Sequence, residues 1–227
     1  LDIIASPSAP VGVRKAAAVY FKNRVVRSWN SPAQPIDEGE KPVVKDRIVA
    51  VLSAVDHTTK QQLIPVLRVL VSFEYPAQWP GLLQQTGELL QQQDGPSSMY
   101  TGVLCFAEIC RSYRWVMNLE RESEMDPIIA QVFPHLLSVG NAILAAEITE
   151  VTAEILKLIL KTYKFVTYYD LPKVLQTKES LVAWGQFHCL VIQLDPPAYV
   201  LSPSLSELER CQTQISKCYK WAVANME

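Results

Sequence analysis

The residue types that ordinarily do chemistry are thinly spread in this chain: three histidines, His57, His135 and His188, and five cysteines among 227 residues. None of the histidines stands at the spacing of a metal-ligand or nucleophile motif. No H-E-x-x-H occurs, and no G-x-x-x-x-G-K-S/T loop is present to cradle phosphates. His188 and Cys189 are sequence neighbours, the pairing an activated thiolate would use, but consecutive residues on a helix point about 100° apart and cannot face one another. Cys105/Cys110 and Cys211/Cys218 lack C-x-x-C spacing, and the odd total argues for reduced, mostly buried thiols in cytosol or nucleus rather than a disulfide framework. The expectation is a protein that binds without catalysing, with no metal and no cofactor.

Binding by charge must then be local. With 21 basic and 23 acidic side chains the formal net charge is -2, so no global attraction to nucleic acid or to anionic membranes exists. The first long helical pattern is an exception: residues 3–36 contain no acid but carry Arg14, Lys15, Lys22, Arg24 and Arg27. This is either a solvated basic face or a contact for an acidic partner. The stretch 128–146 has no charged residue, a length that would suit a membrane helix, but Gln131, Pro134, His135, Ser138, Gly140 and Asn141 interrupt it. A buried helix without membrane insertion is the reading.

The elements that position these residues are helical throughout. Few glycines and few alternating runs occur, and helical spacing is punctuated by proline and short polar clusters. Helices are expected over 11–29, 43–55, 60–75, 80–92, 97–114, 125–144, 148–168, 179–194 and 207–224. Ser204-x-x-Glu207 reads as a capping box for the last. In 73–83, FEYPAQWPGLL, Pro76 should end one helix and Pro80 should occupy the first turn of the next, with Trp79 packed in the corner. The tryptophans, mostly near expected helix ends, are read as core.

Three helices depart from ordinary amphipathicity, because their polar positions collapse into one narrow stripe. In 60–75 the stripe is Gln61, Pro65, Arg68 and Ser72; in 99–114 it is Thr101, Cys105, Glu108 and Ser112, with Arg111 beside it; in 148–165 it is Glu150, Glu154, Lys157, Lys161 and Lys164. A helix flanked by two like neighbours and backed by a partner keeps only one strip for water, the situation of inner helices in an α-solenoid. Arg68, Glu108 and Lys157 lie 40 and then 49 residues apart, which suits HEAT-type helix pairs. The expected fold is therefore an all-α α-α superhelix of stacked antiparallel helix pairs. It forms one solenoid over 1–227 with about four to five repeats. The chain starts at Leu1 rather than Met and stops at Glu227 inside a helical pattern, so it is read as a piece of a longer protein. The stripes offer mixed fixed charges to another protein's surface; alternatively they serve solubility and pairing within the helix, such as Glu150 with Glu154's neighbour Lys157.

FEYPAQWPGLL also resembles the acidic-aromatic-Pro-x-x-Trp-Pro-x-Leu-Leu corner of the importin-β (karyopherin) superfamily. VRKAAAVYFKNRVVRSW, residues 13–29, is similar to its first-repeat helix with the R-x-A-A-x-x-x-x-K-N pattern. MYTGVLCFAEICRSYRW, IIAQVFPHLL and LVAWGQFHCLVI look like the branch of importins seven and eight and their fungal relatives. The resemblance implies a nuclear transport receptor that shuttles between cytoplasm and nucleus. Its partners would be the small GTPase Ran in its GTP form, protein cargo and phenylalanine-glycine nucleoporins. Lys22 and Asn23 match the family's Lys-Asn pair. Partner contacts are expected from Lys15, Lys22, Asn23, Arg68, Ser72, Glu108, Arg111, Lys157, Lys161 and Lys164. The acidic residues and leucine-rich first outer helix usual at the family's N-terminus are absent or lie before Leu1. A HEAT scaffold of a non-transport complex is the alternative.

Overall fold

A computed structural model describes residues 1–91, 95–115, 119–194 and 205–226, apart from the side chains of 115, 119–122 and 205–208. All regular structure among them is helical: α1 (Asp2–Ala5), α2 (Val11–Ser28), α3 (Glu40–Ala54), α4 (His57–Glu74), α5 (Leu82–Gln91), α6 (Pro96–Ser112), α7 (Leu119–Leu144), α8 (Glu150–Val166), α9 (Lys178–Ile192) and α10 (Leu205–Met226). Single 3₁₀ turns follow at Tyr113–Trp115 and Lys173–Leu175. Local chemistry explains several starts. Asp56, Thr149 and Thr177 each accept an amide from the first turn of the helix they precede, satisfying donors that have no partner inside it. Gly95, at φ 113, turns the chain into Pro96, whose missing amide costs nothing in a first turn. The expected cap at Ser204 lies outside the described residues.

Several boundaries differ from expectation: α3 starts at Glu40 rather than at 43 and α4 at His57 rather than at 60, and two further differences have a local cause. α7 starts at Leu119 rather than at 125 and runs through Pro127. The proline deprives only the Ser123 carbonyl of a donor, on an exposed part of the helix, while Glu, Arg and Leu ahead of it favour helix. Pro80 is not in a helical first turn. It sits in the turn closed by the Leu82 amide on the Trp79 carbonyl, and α5 begins two residues later. Pro76 does follow the end of α4, and Tyr75 before it is extended, with ψ 139. Trp79 is buried in the corner.

The chain divides into two compact units, Leu1–Leu89 and Leu90–Glu227. In the first, α2 packs beside α4, and α1 rests on α2 and α3, with Asp2 paired to Arg47. Lys22 reaches Gln62 and Trp29 reaches Glu74, so contacts advance together and the two helices run parallel. Leu63, Val66, Leu67 and Leu70 of α4 are fully buried, whereas Gln61 and Ser72 are exposed and Pro65 and Arg68 half-buried. The narrow stripe read from the sequence is there, widened at its end by exposed Phe73.

In the second unit α6, α8 and α10 form a row with α8 in the middle, and α7 and α9 lie behind it. Glu150–Arg210, Glu154–Gln214, Lys161–Trp221 and Lys164–Ala224 are each sixty residues apart, so α8 and α10 are parallel and in constant register. α10 seals the start of α8 with Cys211, Ile215 and Cys218 against Ala153, and burial pushes the Cys218 thiol up to about 12. Behind the row Phe133, Tyr163 and Trp184 stack at ring separations of 4.9–6.4 Å. His188 closes this cluster, donating Nδ1–H to the Trp184 carbonyl at 2.6 Å and accepting at Nε2 from Asn225 at 3.0 Å. Burial lowers its pKa, against the opposing pull of the Trp184 carbonyl. Cys189 is exposed while His188 is buried, so they do not form a reactive pair. Trp184 is mid-helix rather than near a helix end.

α7, long and apolar enough to cross a membrane by length and composition, buries one face, Ile129, Val132, Phe133 and Leu136, and exposes Gln131, His135, Ser138 and Asn141. Gly140 lets α7 approach α9: a Cβ there would meet the Phe187 ring at 2.5 Å. Gly140→Ala should destabilise the chain by about 1–3 kcal/mol, the cost of overpacking a core. Gly185→Ala, at a site open to space on α9, should be neutral or stabilising. Urea denaturation of the two variants checks this, and equal midpoints would contradict it.

Candidate partner-binding surface

The first unit organises its polar residues around one carboxylate. Glu74, the last residue of α4, is buried and accepts the Trp29 indole N–H at Oε1 and the Lys45 ammonium at Oε2, both at 2.8 Å. Lys45 also donates to the Gln78 carbonyl at 2.8 Å, and Lys41 lies 5.7 Å from the centre of the Trp29 ring. Burial by itself would raise the pKa of Glu74. The bonds from Lys45 and Trp29 and the neighbouring lysine charges outweigh it and hold the group below 4.5. One carboxylate thus ties the end of α2, α3, α4 and the proline corner. Sequence reading named Glu74 only as the acidic position of a motif; its partners, 45 and 29 residues away, leave no local signal.

Of the partner residues expected in this unit, Lys15 is half-buried near Asp56, and Lys22 is held by Gln62 at 2.8 Å. Asn23 is exposed, on a face of α2 that also shows Tyr20, 74% exposed. Ser72 is exposed and donates to the Arg68 carbonyl at 2.7 Å, one turn back. Arg24 is largely spent on its own neighbourhood, donating to Ser28 and to the Gln34 and Pro35 carbonyls. The basic character of α2 is therefore part structural and part outward-facing.

The second unit changes the reading of the stripes more. On α6 the strip expected to meet water is closed: Thr101 and Cys105 are fully buried and Glu108 is 7% exposed. α6 is covered all round from Tyr100 to Cys110, and the stripe opens only at Arg111 and Ser112. Arg111, its side chain 42% exposed, approaches Glu108 at 3.9 Å. On α8 the stripe is narrow as expected, but α10 claims much of it. Glu150 pairs with Arg210 at 2.8 Å rather than within its own helix; Glu154 takes Gln214 at 2.9 Å, and Lys157 donates to Gln214 at 2.7 Å and to Glu154 at 3.4 Å. Lys164 caps the Ala224 carbonyl at 2.5 Å. Lys161 lies over the rings of Phe165 and Trp221 at 6.0 and 5.8 Å. The structure thus brings Glu108 to Arg111 and aligns Lys157, Lys161 and Lys164 with α10. Arg210, Gln214 and Trp221, which complete the seam, become neighbours of α8 only through the sixty-residue register, and Trp221, expected in the core, is half-buried there; Arg114 joins from the end of α6 through Phe165 and Tyr168. Among the described residues no group of three His, Cys, Asp or Glu could hold a metal ion.

Stacked helix pairs presenting rows of polar side chains are the architecture of an α-α solenoid of HEAT type, and comparison with a solved structure agrees. The exportin Cse1 in its cargo-free, cytoplasmic state matches with a TM-score of 0.74 at 17% identity, over 96% of this chain and 25% of that one. The family model for the importin-beta N-terminal domain matches residues 1–54. Nonsense-mediated mRNA decay protein 5 of Saccharomyces cerevisiae is 38% identical over 100% of this chain and 23% of its own length. Importin-8 of Homo sapiens is 26% identical over 98% of this chain and 22% of its own. The chain belongs to the importin-β superfamily, on the side of its importin-8-like members. It spans about a quarter of the length of these relatives.

The two segments that carry the family likeness in the first unit are bonded to each other, since Trp29 ends one and Glu74 belongs to the other. Glu74→Ala, which strands the Lys45 ammonium and the Trp29 N–H, should cost about 3–5 kcal/mol. Glu74→Gln keeps an acceptor for Trp29 and should cost less. With its folded pKa depressed, the carboxylate contributes fully above pH 4.5 and loses its contribution as pH falls through the folded value. Stability of the Gln variant should therefore fall less steeply than wild type below that pH in denaturation series. Parallel pH profiles would contradict the assignment.

Proposed function

We propose that the chain is the N-terminal helical-repeat part of a nuclear transport receptor, one solenoid fragment of about four to five repeats. It binds the small GTPase Ran in its GTP form and protein cargo, without chemistry of its own. The whole receptor passes nuclear pores through phenylalanine-glycine nucleoporins and moves between cytoplasm and nucleus. The observation that carries this reading is likeness along essentially the whole chain to proteins named as importins, joined to a match of the importin-beta N-terminal domain at its start.

The geometry supports recognition by surface rows. The outward face of α2 with Asn23, the α4 stripe with Arg68 and Ser72, and Arg111 at the open end of the α6 stripe offer fixed polar groups on rigid helices. A stack held by nearest-neighbour contacts bends at low cost, so a GTPase seated on the early repeats shifts the population of curvatures that cargo can use. Pull-down with Ran locked in each nucleotide state, by the full-length receptor and by this chain, tests the reading. Retention of the GTP form over the GDP form by the receptor is expected; equal retention of both would refute it.

A further inference from the structure

We infer that the carboxyl ends of α6, α8 and α10 form a cation-aromatic strip that binds an extended acidic peptide crossing the three helices. The inference rests on the reading of this row as a protein-binding surface, but it needs neither Ran nor a nucleotide. The register of α8 on α10 and the contacts of Arg114 with Phe165 and Tyr168 bring the ends of all three helices to one side of the unit. There the rings and cations alternate. Arg114 lies 4.1 Å from the Tyr168 ring and 5.7 Å from that of Phe165, and Lys161 lies 6.0 Å from Phe165 and 5.8 Å from Trp221. Phe165 is shared, so one chain of contacts links Tyr168 and Phe165, through Arg114 at the end of α6 and Lys161 of α8, to Trp221 of α10.

Charge selects the occupant. The segments 109–115, 158–166 and 216–226 carry Arg111, Arg114, Lys161, Lys164, Lys217 and Lys220 and no Asp or Glu; the acids nearest them are Glu108, buried and 3.9 Å from Arg111, Glu124, which accepts the Tyr113 hydroxyl at 2.5 Å, and the exposed Asp170, so the cations stay in excess. Arg111 and Lys217 show their side chains to solvent, and Lys161 is half-buried against its rings. A cation held on an aromatic face is partly desolvated and positioned, so an arriving carboxylate gains more from it than from a free lysine. Neighbouring packed helices are spaced roughly 8–10 Å apart, and three residues of extended chain span about 10 Å. Acidic residues at every third position therefore match one helix each. Single-stranded RNA, the other polyanion, needs bare ring faces for its bases to stack on, and here cations lie over the rings.

The test is fluorescence anisotropy with the intact chain at low salt, using a short labelled peptide with Glu at every third position, its Gln counterpart, and labelled oligouridylate. The Glu peptide should bind, the Gln peptide should not, and the RNA should bind more weakly. Lys161→Glu should weaken the Glu peptide at least about tenfold. Lys217→Glu changes an exposed side chain that the fold does not need, and should show the same direction of loss, while Lys178→Glu, at the start of α9, should leave affinity unchanged. No binding of the Glu peptide, equal binding of its Gln counterpart, full affinity in Lys217→Glu, or preference for RNA would each overturn the strip. A chain that retains Ran but ignores the peptide refutes the strip alone, and one that binds the peptide but not Ran supports the strip and counts against the receptor reading.

Discussion

A helix with a parallel neighbour on either side and a second layer behind it has one seam left through which a charged side chain can reach water. α8 is in that position. Of its seventeen residues only Val151 is exposed, while Ala153, Ile155, Leu156, Ile159 and Leu160 are fully buried. Burying an isolated charge is costly, so the charged side chains of α8 have to fall on the seam, and Glu150, Glu154, Lys157, Lys161 and Lys164 do so at helical spacing. The sixty-residue register with α10 follows from the same constraint, because two parallel helices in contact along their length must meet turn for turn. The polar seam, the sealing of Ala153 by Cys211 and Ile215, and the cap that Lys164 places on Ala224 are consequences of that parallel contact.

The first unit meets a related constraint at a corner. The chain must leave α4 and re-enter α5 within a few residues, and the turn exposes carbonyls such as that of Gln78 which no helix can satisfy. Lys45 answers this by donating to that carbonyl while also neutralising Glu74. Glu74 in turn gives the Trp29 indole the acceptor it requires when buried. The acid, the tryptophan and the lysine are mutually dependent, since removing any one strands a buried polar group of another. These bonds make the corner a joint of the scaffold.

The polar side chains are of two kinds. Lys22, Lys157 and Lys164 are bonded across to another helix, and Arg24 ties its own helix to the loop that follows it. Asn23, Arg111 and Lys217 face outward, and Lys161 sits half-buried on aromatic rings. Outward groups stay fixed relative to one another when the helices that carry them cannot shift independently.

Helical content, the narrow stripes of α4 and α8, the buried thiols and the corner at Pro76 were legible from spacing and residue type, since each depends on neighbours within about one turn of the chain. The likeness to the superfamily was legible in the two segments ending at Trp29 and beginning at Phe73, and the comparisons bear it out. Closure of the α6 stripe was not, because Thr101, Cys105 and Glu108 look solvent-facing to a periodicity argument and are covered by groups distant in sequence. Nor was the pairing of Glu150 with Arg210 rather than with a residue of its own helix. Sequence alone determined which side of each helix is polar, because a period of about 3.6 residues is a local property. Tertiary structure decided which polar sides meet water, which meet each other and which are sealed, because those outcomes depend on the register between parallel helices that no local pattern encodes.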